Sequence, residues 1–347
     1  MRLTRLVAAL SLAAAAFAFA AGAAEASVGL TQIAAKDGLG VVTVYYPSTS
    51  EAPTIKRGPF TFQMAADGTP SRGNGRLIVI SHGSGGSPWV HANLAQALVA
   101  DGFIVAMPAH RGDNYQDPGT PGPESWKLRP VEVSHTIDAL GQDPRFRPLL
   151  ALDKVGMYGM SAGGHTALSL AGGRWSPASF TKHCDADIKD DFQACVGLAT
   201  ELRSNFLDGA KTTLALWVIH SRFKDATWQT HTDPRIAAIV AAVPYAADFD
   251  MTSLAAPPVP LALVTARLDK WLVPRFHADA VLAACAACER LADFATGGHG
   301  ALLSPCRRDS PAPSATCSAI RPASTGPRPL WSIARSPRSS KGTCSAS

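Results

Sequence analysis

Short apolar runs separated by amphipathic stretches dominate the middle of the chain. Val41 to Tyr46 reads as a strand, and the Pro47 that follows predicts an edge strand ending there. Arg76 to Ser81, Phe103 to Met107, the run that begins at Lys154, Ile236 to Val243 and Val259 to Val264 are short and largely apolar, the pattern of strands buried on both faces. Between and after them, Val90 to Asp101, Leu128 to Leu140 and Ala278 to Leu291 repeat apolar residues at helical spacing. This alternation predicts an α/β fold: a mostly parallel sheet covered by helices on both faces, with a site at the carboxyl ends of the strands. Residues 174–232 break the alternation and read as an insertion. They hold Trp175, Phe180, Phe192, Phe206, Trp217, Phe223 and Trp228, seven of the chain's 25 aromatics.

The two ends differ from this middle. Arg2 and Arg5, the apolar stretch Leu6 to Ala21 and Ala24-Glu25-Ala26 compose a secretory signal peptide over residues 1–26, with the mature chain starting near Ser27. Residues 307–347 carry ten serines, six prolines and six arginines, a composition that buries too little apolar surface to fold and predicts disorder. Their abrupt onset after Ser304-Pro305 also reads as a frameshift, since out-of-frame G+C-rich codons are rich in serine, proline and arginine. The ends carry the excess charge. The whole chain is +5, but setting aside 1–26 and 307–347 leaves 23 basic against 25 acidic residues. The basic balance therefore gives no argument for a nucleic-acid partner, and no stretch after the leader is apolar enough to span a bilayer. Residues 27–306 are the right length for one domain.

The run from Lys154 ends on Gly159-Met160-Ser161-Ala162-Gly163 and leads into the helix-like Thr166 to Ala171. That is the setting of a Gly-x-Ser-x-Gly nucleophile elbow, where a serine stands on a sharp turn between strand and helix. The pentapeptide alone arises by chance in roughly one chain in ten of this length, so the weight rests on its surroundings. Upstream, the strand ending at Ser81 runs into His82-Gly83-Ser84-Gly85-Gly86, suited to an oxyanion loop. Downstream, Asp269 follows an apolar run and His299 stands in Gly297-Gly298-His299-Gly300. The order Ser, Asp, His is that of α/β-hydrolases. Ser161 is the candidate nucleophile, His299 the base and Asp269 its orienter, with Asp248 and Asp250 as rivals for the last role. The backbone N–H groups of Ser84 and Ala162 are the candidate oxyanion donors. His82 and His165 read as structural hydrogen bonders, and a metal site built from His82, His110 and His299 lacks a carboxylate at ligand spacing. No cofactor or metal is expected. The aromatics of 174–232 suit either an acyl-binding wall in a cap or the core of the insertion itself.

Ile80 to Trp89, Pro108-Ala109-His110-Arg111-Gly112-Asp113-Asn114 and Tyr158 to Gly164 together resemble the exported, predicted dienelactone-hydrolase-like family, which is related to platelet-activating-factor acetylhydrolases. The similarity runs from about Leu39 to Cys306. It implies a secreted or periplasmic serine hydrolase of the α/β-hydrolase fold acting on a small-molecule ester. Authentic dienelactone hydrolases use a cysteine where this chain has Ser161, so the family name does not carry the substrate. A peptidase of the same fold, or a member impaired by loss of its final helix, are the other readings. Seven cysteines fit export: Cys184 and Cys195 flank a polar loop and suit a disulfide, Cys306 could pair with Cys285 or Cys288, and Cys285-x-x-Cys288 is otherwise half a zinc site or a redox motif.

Overall fold

The computed structural model describes residues 27–34, 40–57, 60–197 and 199–304; the predicted leader, Cys306 and the predicted tail lie outside them. Eleven strands occur among the described residues: β1 (Ser27–Ala34), β2 (Val41–Ser48), β3 (Thr54–Arg57), β4 (Phe60–Gln63), β5 (Ala65–Ala66), β6 (Leu77–Ser81), β7 (Ile104–Pro108), β8 (Val155–Met160), β9 (Ile236–Ala242), β10 (Leu261–Ala266) and β11 (Glu289–Phe294). Nine of them form one sheet in the order β11-β10-β9-β8-β6-β7-β2-β1-β5, and β3 pairs with β4 in a separate hairpin. From β11 to β7 neighbouring strands are parallel; β2 is antiparallel to both β7 and β1.

Seven α-helices accompany the sheet among the described residues: α1 (Ala92–Ala100), α2 (Pro123–Gln142), α3 (Ala162–Leu170), α4 (Pro177–Asp187), α5 (Phe192–Val196), α6 (Asp208–Arg222) and α7 (Ala278–Ala284). Side chains alternate across a strand, so each apolar run supplies both faces. Val79, Ile104 and Ala106 pack with Val133, Ile137 and Leu140 of α2 and with Ala167 and Leu168 of α3. Their neighbours Ile80, Val105 and Met107 pack on the other face with Ala92, Ala95 and Val99 of α1. Each such Val, Leu, Ile or Met side chain contributes roughly 1.5–3 kcal/mol on burial, which fixes the sheet between two helical layers.

Two elements differ from expectation, and the Cys285–Cys288 disulfide leaves neither cysteine to pair with Cys306. The strand at Val41 is not an edge, because β1 and β7 flank it, and Pro47 lies inside it opposite Val28. Its side chains from Val42 to Ser48 are all buried, so the run is a central strand and its proline lies within it instead of ending it. The helix expected over Ala278 to Leu291 ends at Ala284; a turn closed by a Cys285–Cys288 disulfide follows, then β11. Within β11 the buried residues are Ala292 and Phe294, a period of two that a longer helical window absorbs.

The insertion carries α4, α5 and α6, with a Cys184–Cys195 disulfide joining the first two. Its aromatics divide. Trp175, Phe180 and Phe192 are buried in the main core, where Trp175 and Phe180 meet the ring of Trp126, whereas Phe206, Trp217 and Trp228 are exposed.

Candidate active site

β8 ends at Met160 and α3 begins at Ala162, so Ser161 makes the turn alone. Its backbone sits at φ 59° and ψ −118°, a conformation that costs a non-glycine residue about 1–3 kcal/mol and persists only where its surroundings impose it. They do so through three hydrogen bonds: Ser161 N–H donates to Ala242 O (3.1 Å), while its carbonyl accepts from His165 N–H (3.0 Å) and Tyr245 N–H (3.2 Å). The flanking glycines are required by space. A Cβ on Gly159 would stand 1.9 Å from Gly163 O, and one on Gly163 would stand 1.9 Å from Ser81 O.

Three side chains from three different loops meet at this turn. Ser161 Oγ lies 2.9 Å from His299 Nε2, and His299 Nδ1 lies 2.7 Å from Asp269 Oδ2. Asp269 is buried, and its Oδ1 accepts from the N–H groups of Trp271 (2.8 Å) and Leu272 (2.9 Å), which fixes the carboxylate plane. With Nδ1–H donated to Asp269, Nε2 is the nitrogen left to accept the serine proton. The Trp271 ring stacks on His299 at 5.9 Å with 14° between planes. Beyond the 3₁₀ turn His299–Leu302, Ser304 N–H donates to Val90 O (2.7 Å) and Ser304 Oγ accepts from Asn93 N–H (3.0 Å), so the histidine loop is tied to the start of α1.

The rival carboxylates are engaged elsewhere. Asp248 faces His165 Nε2 at 3.2 Å, both fully buried, and Asp250 accepts from Thr252 N–H and pairs with Arg174. His82 Nδ1 meets Gly83 O at 2.7 Å, and its Nε2 accepts from His110 N–H. No group of three His, Cys, Asp or Glu side chains placed to hold a metal ion occurs among the described residues.

The loop after β6 lies against the serine: a Cβ on Gly83 would come within 3.3 Å of Ser161 Cβ. Among the described residues, the backbone N–H groups of Ala162, directly after Ser161, and of Ser84, directly after Gly83, have no hydrogen-bond acceptor.

A second array repeats the connectivity and escaped the sequence reading. Ser81 Oγ lies 2.7 Å from His110 Nε2, and His110 Nδ1 lies 2.6 Å from Glu132 Oε2. Access separates the two. Ser81 and His110 are 0% exposed and Glu132 2%, while the His299 side chain keeps 13%. Burial holds His110 and His82 well below the usual histidine range, so both are neutral at pH 7. Burial also raises the Glu132 carboxyl. The buried array therefore fastens β6 to the loop after β7 and to α2. One feature could have exposed it: Arg129 and Glu132 stand three residues apart, on one side of the stretch Leu128 to Leu140 that repeats apolar residues at helical spacing. A scan against protein-family models and a search of curated proteins found no match to this chain.

Proposed function

We propose that the chain is a serine hydrolase of the α/β-hydrolase fold that cleaves a carboxylic ester through an acyl-enzyme. The observation that carries the reading is the unbroken chain from Asp269 through His299 to a Ser161 held in a strained turn. Ser161 Oγ adds to the ester carbonyl while His299 Nε2 takes the hydroxyl proton, and Asp269 stabilises the imidazolium that forms. The oxyanion is met by the N–H groups of Ser84 and Ala162. His299 then returns the proton to the departing alcohol oxygen as the C–O bond breaks. A water molecule, deprotonated by the same nitrogen, releases the acid and restores Ser161.

The sequence resemblance to exported dienelactone-hydrolase-like proteins supports the same chemistry. Two disulfides suit an oxidising compartment, and among the described residues no helix is long and apolar enough to cross a membrane. The test is hydrolysis of a chain-length series of p-nitrophenyl esters, run beside labelling with a fluorophosphonate probe. Wild type is expected to turn over the short-chain members and to take up one probe at Ser161. Ser161→Ala should lose the label and about 10⁴–10⁶-fold in kcat. Equal labelling of the two proteins would overturn the reading.

A further inference from the structure

Helix α2 presents an inner face with three polar side chains where a core face is expected. Ser125, Arg129 and Glu132 are 0%, 0% and 2% exposed, and their spacing puts them on one side of the helix. Arg129 donates from Nη1 to His82 O (2.6 Å) and from Nη2 to Asp113 O (3.2 Å) and Asp113 Oδ2 (2.8 Å). Asp113, on the loop after β7 and 1% exposed, turns its other oxygen to the loop after β6. There Oδ1 accepts from Ser84 Oγ (2.6 Å) and from Gly85 N–H (2.8 Å). Ser125 Oγ donates to Oδ2 at 3.1 Å, and the buried array of Ser81, His110 and Glu132 pins the start of the same loop.

The loop from Ser81 to Gly85 is thus held from beneath at Ser81, His82, Ser84 and Gly85, while Gly83 lies against Ser161. Stability does not require such an anchor. A buried ion pair adds little net stability over apolar packing and is costly to break, so a charged pair under a short loop makes physical sense where the loop must stand in one place. An oxyanion donor is such a case, since productive geometry tolerates only about 0.5 Å of displacement.

We propose that Asp113, oriented by Arg129, is a positioning residue that sets the Ser84 N–H toward the oxyanion of the tetrahedral adduct at Ser161. The inference rests on the ester-hydrolase reading and goes beyond it, since Asp113 touches neither substrate nor nucleophile.

The experiment uses the full chain and compares wild type with Asp113→Ala, Asp113→Asn and Ser84→Ala, each normalised to the sites a fluorophosphonate probe titrates. Two quantities are read: kcat and KM on a p-nitrophenyl ester, and Ki for a trifluoromethyl ketone, whose carbonyl carbon bonds Ser161 Oγ and whose oxygen becomes the oxyanion. Asp113→Ala should lower kcat about 100-fold with KM within about threefold, and weaken the ketone by a similar factor, the scale of losing one oxyanion donor. Asp113→Asn keeps an acceptor for Ser84 and Gly85 and should recover kcat to within about tenfold of wild type; Ser84→Ala should lose about tenfold. A merely structural role would change the titrated fraction and leave Ki per site unmoved. Folded Asp113→Ala with kcat and Ki both within about threefold of wild type overturns the proposal. If neither Asp113 variant folds, Ser84→Ala decides, and kcat within twofold of wild type overturns it. A wild type that neither hydrolyses esters nor labels at Ser161 brings down the ester reading and this inference together; an active, labelled wild type with indifferent variants brings down this inference alone.

Discussion

At the scale of single residues, what distinguishes the Ser161 array from the buried Ser81 array is access and backbone strain, since the hydrogen-bond connectivity is the same. Ser161 could be singled out in the sequence because its glycines are forced by steric contact, and steric demands leave residue-type signatures. His299 and Asp269 were legible through chain order. Asp113 and Arg129 were not, because a buried charge is recognised only by its partners, which lie in other loops. The choice among carboxylates gives a direct expectation. Asp269→Asn should lower kcat by about 10⁴ by favouring the wrong imidazole tautomer, whereas Asp250→Asn, whose partners are Thr252 and Arg174, should stay within about threefold of wild type on the same p-nitrophenyl ester. An active Asp269→Asn would mean that another group orients His299.

At the scale of elements, the insertion was legible as a break in alternation and its Cys184–Cys195 link as a disulfide, but the buried carboxylate that fastens it was not. Asp191 Oδ2 lies 2.9 Å from both His183 Nε2 and His277 Nε2, and its Oδ1 accepts from Val273 N–H at 3.2 Å. Burial pushes this carboxyl up, yet the bonds from the two histidines outweigh it and hold the group at about 2. The short loop that carries Asp191 is also closed by Cys184–Cys195, eleven residues apart. Loop-closure entropy assigns such a crosslink about 3 kcal/mol. Replacing both cysteines by serine should lower the unfolding free energy in urea by up to that amount. Non-reducing peptide maps should show the pair linked in exported protein, and two free thiols there would sink the assignment. The helix expected over Ala278 to Leu291 stops at Ala284 for a related reason. An alanine-rich segment suits several periods, and the neighbouring strand β10 decides that its end pairs at the sheet edge as β11.

At the scale of the whole molecule, the sheet was legible because strands buried on both faces must be continuously apolar, and the chain has few other apolar runs. The cost of the polar chassis beneath the site was not, and it leads to a pH dependence. His82, His91 and His110 are buried, and burial lowers all three, His91 to about 4, with neither of its ring nitrogens partnered among the described residues. A histidine lowered in the folded state stays neutral there while the unfolded chain takes up its proton below about 6.5, so acid favours unfolding. Glu132, raised by burial, works in the opposite sense and offsets up to one of the three protons. Linkage then lowers stability as the pH falls below about 6, by at most about 1.4 kcal/mol per pH unit for each ring that stays neutral, set against a total of about 5–15 kcal/mol for a typical domain. Urea midpoints should be level between pH 7 and 8 and fall from pH 6 to 5, where ordinary carboxylates have scarcely begun to titrate. His91→Leu isolates one proton of the effect, because His91 makes no hydrogen bond that the substitution would break; it should flatten the slope by about 1.4 kcal/mol per pH unit. Stability independent of pH from 7 to 5, or a slope unchanged in His91→Leu, would show that these rings are not held neutral by burial.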